Sequence, residues 1–485
     1  MPPALATVVC AAGVVGLFLL DRDRGSRASP ALWIAVAWLA IGASREISQW
    51  SNPTLLSESA EQLHEGSPLD RLFYTGLIVA GLIVLCVRGE RTGRLLRANW
   101  PVLVFFVYCA VSVAWSDYPF VAFKRWTKVL GNLVMVLVAL TDRDPREATR
   151  QLLTRTGFVL IPLSVLLIKY YPYLGRAFSP WTGAAYNSGA AIGKNGLGVM
   201  CLVFGLTAVW RCLDALQEPE RRTKTRRLIA HGIVLAMALW LFWLADSATS
   251  LGCFAVGAAL IVLSRWRPFA SSAVVVHVAV AGIVSVCVLG LFITTDVGLL
   301  QAMGRDPTLT TRTGLWHDLL RISVDPWFGT GFDSFWLGAR ARILWQTHWW
   351  HPNQAHNGYL EVYLNLGWLG LVLLGVMIAG GYRNVIAALR GDAALGGFRL
   401  ALFVVAVLYN LTEAAFKVMH PVWILFLLVV SIVPKEEAAT AGARLGGRDS
   451  ASASPLRPLT SRSPLRPVTD TLKTPRARRA WAPRH

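Results

Sequence analysis

The stretch HPNQAHNGYLEVYLNLGWLG, residues 351–370, runs from a histidine-bearing, aromatic-rich loop straight into an apolar helix that begins near Gly358. His356, a group able to carry a proton, therefore stands where an aqueous loop meets a membrane helix, which suits chemistry at a bilayer surface. The membrane reading rests on the whole chain. Of 485 residues, 54% are hydrophobic and 15% charged, and the mean hydropathy is +0.49. No soluble core needs that much apolar sequence.

A spanning helix needs about 20 mostly apolar residues. Charged or Gly/Pro-marked breaks separate roughly thirteen such segments, near 3–20, 30–44, 71–87, 100–115, 121–140, 151–169, 192–210, 228–245, 249–264, 272–294, 358–380, 398–412 and 418–433. The pattern predicts an all-α polytopic integral membrane protein of about 12–13 transmembrane helices with one long extracytoplasmic loop. Residues 1–294 form a first bundle of about ten helices, 295–357 the loop with an amphipathic helix, 358–433 the last spans, and 434–485 a basic tail.

Basic stretches at 21–27, 88–97, 220–227 and 264–267 alternate with a Glu-bearing loop at 45–70 and the cation-free WSDYP at 115–119. Because short cytoplasmic loops are enriched in Lys and Arg, the first residues are expected outside and the tail inside. The net charge of +19 then reflects topology rather than nucleic-acid binding. The tail, with SPLRP at 454–458 and again at 463–467, cannot bury a core and is expected to be disordered, resting on anionic headgroups. The seven cysteines lie in or beside apolar spans without CxxC spacing, as small core residues do. No charged n-region or cleavage site marks the N-terminus, so the first span is expected to stay in the protein.

This topology puts the connection at 170–191, the loop at about 295–357 and the turn at 410–421 outside. In the loop, Leu315, Trp316, Leu319 and Leu320 recur at helical spacing behind Thr310 and Thr311 as caps. They predict an amphipathic helix lying on the membrane, ended by Asp325-Pro326, Gly329 and Gly331. Arg312 in its first turn either snorkels to headgroups or binds an anionic substrate group. Six tryptophans, Trp316, Trp327, Trp336, Trp345, Trp349 and Trp350, read equally as interfacial anchors or as a sugar platform.

Asn357, Glu361 and Asn365 recur every four residues, a polar stripe entering the membrane that makes Glu361 a site candidate. Lys194-Asn195, the cations Lys124, Arg125 and Lys128, and the pair Glu413 and Lys417 also fall outside. Outer cations oppose the charge trend and suit an anionic ligand, with structural ion pairing as the alternative.

The run HNGYLEVYLNLGWLGL at 356–371 resembles the signature of the O-antigen ligase and polysaccharide polymerase superfamily, a His and a small polar residue leading to G-x-x-G on the next helix. WSDYP at 115–119, GKNGLG at 193–198, TRTGLW at 311–316, FGTGFDSFW at 328–336 and NLTEAAF at 410–416 extend the likeness over roughly residues 70–430. Among its members, the exopolysaccharide polymerase-like proteins are most similar.

The resemblance implies a GT-C-like fold and metal-independent, cofactor-free transfer of a glycan from an undecaprenyl-pyrophosphate carrier to a sugar hydroxyl, on the periplasmic side of a bacterial inner membrane. It makes His356 the general base. Arg312, Lys194 and Arg125 would hold the pyrophosphate, with Glu361, Asn357, Asn195 and Glu413 in support and Trp316, Trp336, Trp349 and Trp350 under the sugar. His348 and His351 lie near enough to rival His356. The implied partners are the lipid-linked donor, a glycan acceptor, membrane lipids and a chain-length regulator or export complex, without nucleic acid.

Polymerase and ligase share donor and geometry, and the sequence leaves both open. A transporter would show internal repeats and broken mid-membrane helices, and a flippase cations along a central cavity. Both stay open as further alternatives, with no internal repeat seen and the polar residues gathered at one face.

Overall fold

The computed structural model describes residues 1–23, 28–52, 67–179, 183–296, 308–322 and 324–434. The tail with its SPLRP repeats, most of the Glu-bearing loop and the start of the long loop lie outside the described residues.

Every one of the thirteen apolar segments is helical. By length and composition, eight helices among the described residues can cross a membrane, and Gly89–Ala98 with Trp100–Trp115, bent by 87°, would make a ninth. The remainder include three shorter apolar helices, Leu32–Gly42, Ala248–Leu263 and Pro421–Val430. Pro421–Val430 is buried along its whole length. A helix walled in by other helices need not match the hydrocarbon thickness, because its ends meet protein rather than lipid. Pro119–Leu140 carries Lys124, Arg125 and Lys128 in its first half and only then becomes apolar. All seven cysteines are free thiols.

The two ends of the bundle differ in charge. At one end the basic breaks are braced by carboxylates: Arg211 to Asp21 at 3.0 Å, Arg227 to Asp23 at 2.9 Å, Arg88 to Asp142 at 3.2 Å and Arg146 to Asp392 at 3.1 Å. Asp21 also meets His231 Nε2 at 3.0 Å. Burial would raise its carboxyl, but the His231 hydrogen bond and the Arg211 charge outweigh it and hold the group at about 2. The other end gathers 44–51, 112–119, 170–179, 183–195, 245–250, 312–322, 324–358 and 410–420. Two short strands, Arg176–Phe178 and Ala185–Asn187, pair antiparallel there.

The helix Gly358–Gly391 is broken at Gly367, whose φ of 64° and ψ of −165° are open to glycine but not to a side chain. The 24 residues beyond the break span roughly 36 Å, enough to cross a bilayer alone. The break therefore lies toward the loop-bearing end of the bundle. Backbone groups on both sides of the break find partners outside the helix. Trp368 N–H donates to Pro326 O at 2.8 Å and Leu369 N–H to Trp327 O at 3.2 Å. Leu364 O accepts from Thr330 N–H at 3.1 Å and its hydroxyl at 3.2 Å, and Leu366 O accepts from Tyr108 Oη at 2.8 Å.

Glycines permit this approach. A Cβ at Gly367 would collide with the Trp327 carbonyl, one at Gly329 with the Asn365 backbone and one at Gly370 with Leu366. Asp325 caps the inserted turn, accepting from Trp327 N–H at 2.8 Å and Phe328 N–H at 2.9 Å. Gly331 packs on Ser112 and Ser116, and Ser116 Oγ meets Ser334 Oγ. The motifs WSDYP, FGTGFDSFW and G-x-x-G thus build one device that seals a broken helix.

The loop has its own small core. Leu315, Leu319, Phe335, Leu344, Ala355 and Leu364 are buried together. The helix Thr308–Arg321 presents Leu315 and Leu319 to this core rather than to lipid, while Leu320 is exposed. Apolar periodicity marks a buried face without saying what buries it. The helix also begins earlier than expected, with Thr310 and Thr311 inside its first turn.

Gly367→Ala should cost roughly 1–3 kcal/mol in backbone strain alone, with steric conflict against Trp327 added. Thermal unfolding in detergent should show a lowered Tm. Gly375→Ala, with open space around its Cβ, should behave as wild type; equal stability of the two variants would refute the sealed-break account.

Candidate functional site

The site is assembled from the turn at 410–416 outward. Asn410, fully buried at the end of Ala393–Thr412, accepts from Ala415 N–H and Phe416 N–H, each at 2.9 Å, and donates to Ala406 O at 2.8 Å. These bonds fold the chain back and aim Glu413 inward. The start of the 358 helix packs on Asn410, where a Cβ at Gly358 would clash with its amide oxygen. Asn357 caps that helix, accepting from Tyr359 N–H and Leu360 N–H at 3.0 Å. Its amide donates to Leu411 O at 3.2 Å, which brings His356 beside Glu413.

Glu413 joins four segments. Its Oε1 accepts from Arg312 Nη2 at 2.9 Å and Asn195 Nδ2 at 3.3 Å, and its Oε2 lies 3.3 Å from His356 Nδ1. Arg312 Nη1 also donates to Thr412 O. Burial would raise the Glu413 carboxyl, but the His356 hydrogen bond and the Arg312 charge prevail and hold it below its ordinary value. Lys194 is exposed beside Asn195 at the start of Gly193–Leu216. Of the five N–H donors a guanidinium carries, these contacts use two. The arrangement fixes Arg312 while leaving donors for an anion.

His356 itself is held in a left-handed backbone conformation, φ 48°, which costs energy for a non-glycine residue and persists only where neighbours enforce it. Ala355 supplies that enforcement: its N–H donates to Glu361 Oε2 at 2.8 Å and its carbonyl accepts from Trp316 Nε1 at 2.7 Å. Glu361 also takes Trp336 Nε1 at 2.6 Å on Oε1. Asn365 Oδ1 accepts from Ser334 N–H at 2.8 Å and Phe335 N–H at 3.0 Å.

The polar stripe of Asn357, Glu361 and Asn365 therefore pins the loop, with Glu361 outside the Glu413 cluster. Trp316 and Trp336 are part of the same pinning. Trp350 lies 6.1 Å from the His356 ring, and Trp349 is 65% exposed. Arg125 is engaged elsewhere, donating to Asp333 O at 2.6 Å. The rival histidines are also occupied apart from Glu413. His348 Nε2 lies 3.1 Å from Asp318, and His351 stacks on Trp345 at 5.3 Å.

Sequence reasoning missed Asn410 and Gln354, which accepts from Lys417 Nζ at 2.7 Å. A lone Asn ending an apolar helix was the available signal for the first; nothing marked the second.

The O-antigen ligase family profile matches residues 227–375, a stretch that includes Arg312, His356 and the break at Gly367. The chain is 25% identical over 288 residues to the exopolysaccharide production protein ExoQ of Rhizobium meliloti (strain 1021), covering 57% of this chain and 63% of that protein. It is 20% identical over 279 residues to a "Putative polysaccharide ligase" of Rickettsia felis, covering 56% and 64%. The chain thus spans a little under two thirds of each relative's length. Over residues 227–375 the chain is thus similar to the O-antigen ligase family, and over somewhat more than half its length to these two polysaccharide proteins.

Proposed function

We propose that the chain transfers a glycan from an undecaprenyl-pyrophosphate carrier to a sugar hydroxyl at the extracytoplasmic surface of the bacterial inner membrane, polymerising exopolysaccharide or O-antigen repeat units. The observation that carries this reading is the Arg312–Glu413–His356 relay at the end of the bundle opposite the basic loops. The positive-inside rule assigns those loops to the cytoplasm. The ExoQ likeness favours polymerisation; the family description favours the second reading, ligation of finished glycan to a lipid A core.

Glu413 on Nδ1 fixes the imidazole so that Nε2 is free to accept the acceptor hydroxyl's proton. The hydroxyl oxygen bonds to the donor's anomeric carbon, the bond to pyrophosphate breaks, and the electron pair leaves on phosphate. Arg312 and Lys194 meet that charge in the role a cation would otherwise fill. Trp349 and Trp350 offer aromatic faces to the sugar, while Trp316 and Trp336 hold the loop.

His356→Ala should abolish transfer with normal membrane accumulation. Glu413→Gln should lose on the order of 10²-fold or more in kcat, since the ring loses its orienting carboxylate. Near-normal product from the first variant would eliminate the base assignment. Arg312→Lys should also be badly impaired, because an ammonium cannot reproduce a planar fork; full activity would reduce Arg312 to a headgroup anchor. In purified protein, EDTA should leave the rate unchanged, and loss restored by a divalent cation would contradict metal independence.

A further inference from the structure

At the same end of the bundle, a cleft of about 350 Å³ opens between the helices Pro145–Tyr170 and Arg221–Ala245 under the two-stranded hairpin. Lys169, Arg176, Tyr186, Asn187, Trp240 and Leu244 line it. Asn187 Nδ2 ties the hairpin to Leu244 O at 3.2 Å, so strand and helix form one wall. None of these residues takes part in the Glu413 cluster.

Its two cations differ from those that the fold ties down with carboxylates. Arg88, Arg146, Arg211, Arg227 and Arg312 each meet a carboxylate. Neither Lys169 nor Arg176 does among the described residues, and both are exposed. They also lie at the end where the positive-inside rule disfavours cations. Beside the cleft, Trp243 is 76% exposed and Leu239 46% exposed on the outer flank of Arg221–Ala245, an apolar track for a hydrocarbon chain. Cationic head, aromatic wall and apolar track together match an amphiphile with a phosphate head.

We propose that this cleft binds the phosphate of a membrane lipid, apart from the Arg312 site. Resting on the transfer reading, the occupant is the lipid carrier of the acceptor, since a polymerase must hold two lipid-linked chains at once. Asn187 leads through six residues to Lys194, and Thr249, just past the Ala245 helix end, lies 3.3 Å from Thr412, whose carbonyl Arg312 holds. An acceptor anchored in the cleft thus has the His356 region at its door.

The test uses the full chain in nanodiscs, with undecaprenyl phosphate, phosphatidylglycerol and phosphatidylcholine as separate probes, read by native mass spectrometry. Undecaprenyl phosphate should be retained, and the double variant Lys169→Gln, Arg176→Gln should weaken its binding by about tenfold or more. Arg312→Ala should keep this binding. Displacement by phosphatidylglycerol would identify the occupant as an ordinary anionic headgroup, and resistance would identify an isoprenoid carrier; either supports a lipid-phosphate site. Unchanged binding in the double variant, loss in Arg312→Ala alone, or equal retention of phosphatidylcholine would overturn it. In transfer assays the double variant should raise KM for a lipid-linked acceptor and leave a soluble acceptor unaffected. Absence of transfer in wild type would defeat the proposed function and leave the binding result standing.

Discussion

A helix interrupted near lipid exposes amides and carbonyls that hydrocarbon cannot satisfy, and the break at Gly367 is the constraint around which the loop-bearing half of this molecule is organised. Four backbone positions lose their helical partners there. The turn at 326–330 and Tyr108 supply partners to Leu364 O, Leu366 O, Trp368 N–H and Leu369 N–H. The consequence is that the loop cannot drift from the bundle without unsealing the helix. A long connection, which would ordinarily be among the less stable parts of a protein, becomes a fixed platform.

That platform explains how a strained histidine is kept. Ala355 is bonded on both faces, to Glu361 and Trp316; it belongs to the small core that the sealed turn supports, and Trp316 packs against that core. His356 then enters its left-handed conformation with the preceding residue already fixed. Glu413 completes the restraint from the opposite side. Its buried carboxylate would be costly alone, and Arg312 with His356 makes it tolerable. Each of the three groups is thereby held in place by its neighbours.

The sequence displayed the spans well because hydropathy is a local property, and each of the thirteen apolar segments is a helix. It displayed partners poorly because partnership is not local. The spacing of Asn357, Glu361 and Asn365 places them on one face, yet Glu361 meets Trp336 across 25 residues. Arg312 and Glu413 stand 101 residues apart. Likewise four tryptophans near one site look alike in sequence, while two prove to be loop braces through indole N–H groups whose acceptors no periodicity reveals. The short Pro421–Val430 helix read as a span by composition, but its burial on all sides shows an internal strut.

Charge gives the last step. At the basic end, Arg88, Arg211 and Arg227 are matched to aspartates, so their charge is spent on holding loops together. At the opposite end Arg312 keeps donors beyond its carboxylate, and Lys194, Lys169 and Arg176 have no carboxylate beside them among the described residues. Exposed unmatched cations add little to stability and oppose the topological preference for basic loops inside. Their clustering on one face, divided between the Glu413 cluster and the hairpin cleft, is what the proposed reaction between two phosphate-anchored lipids would use.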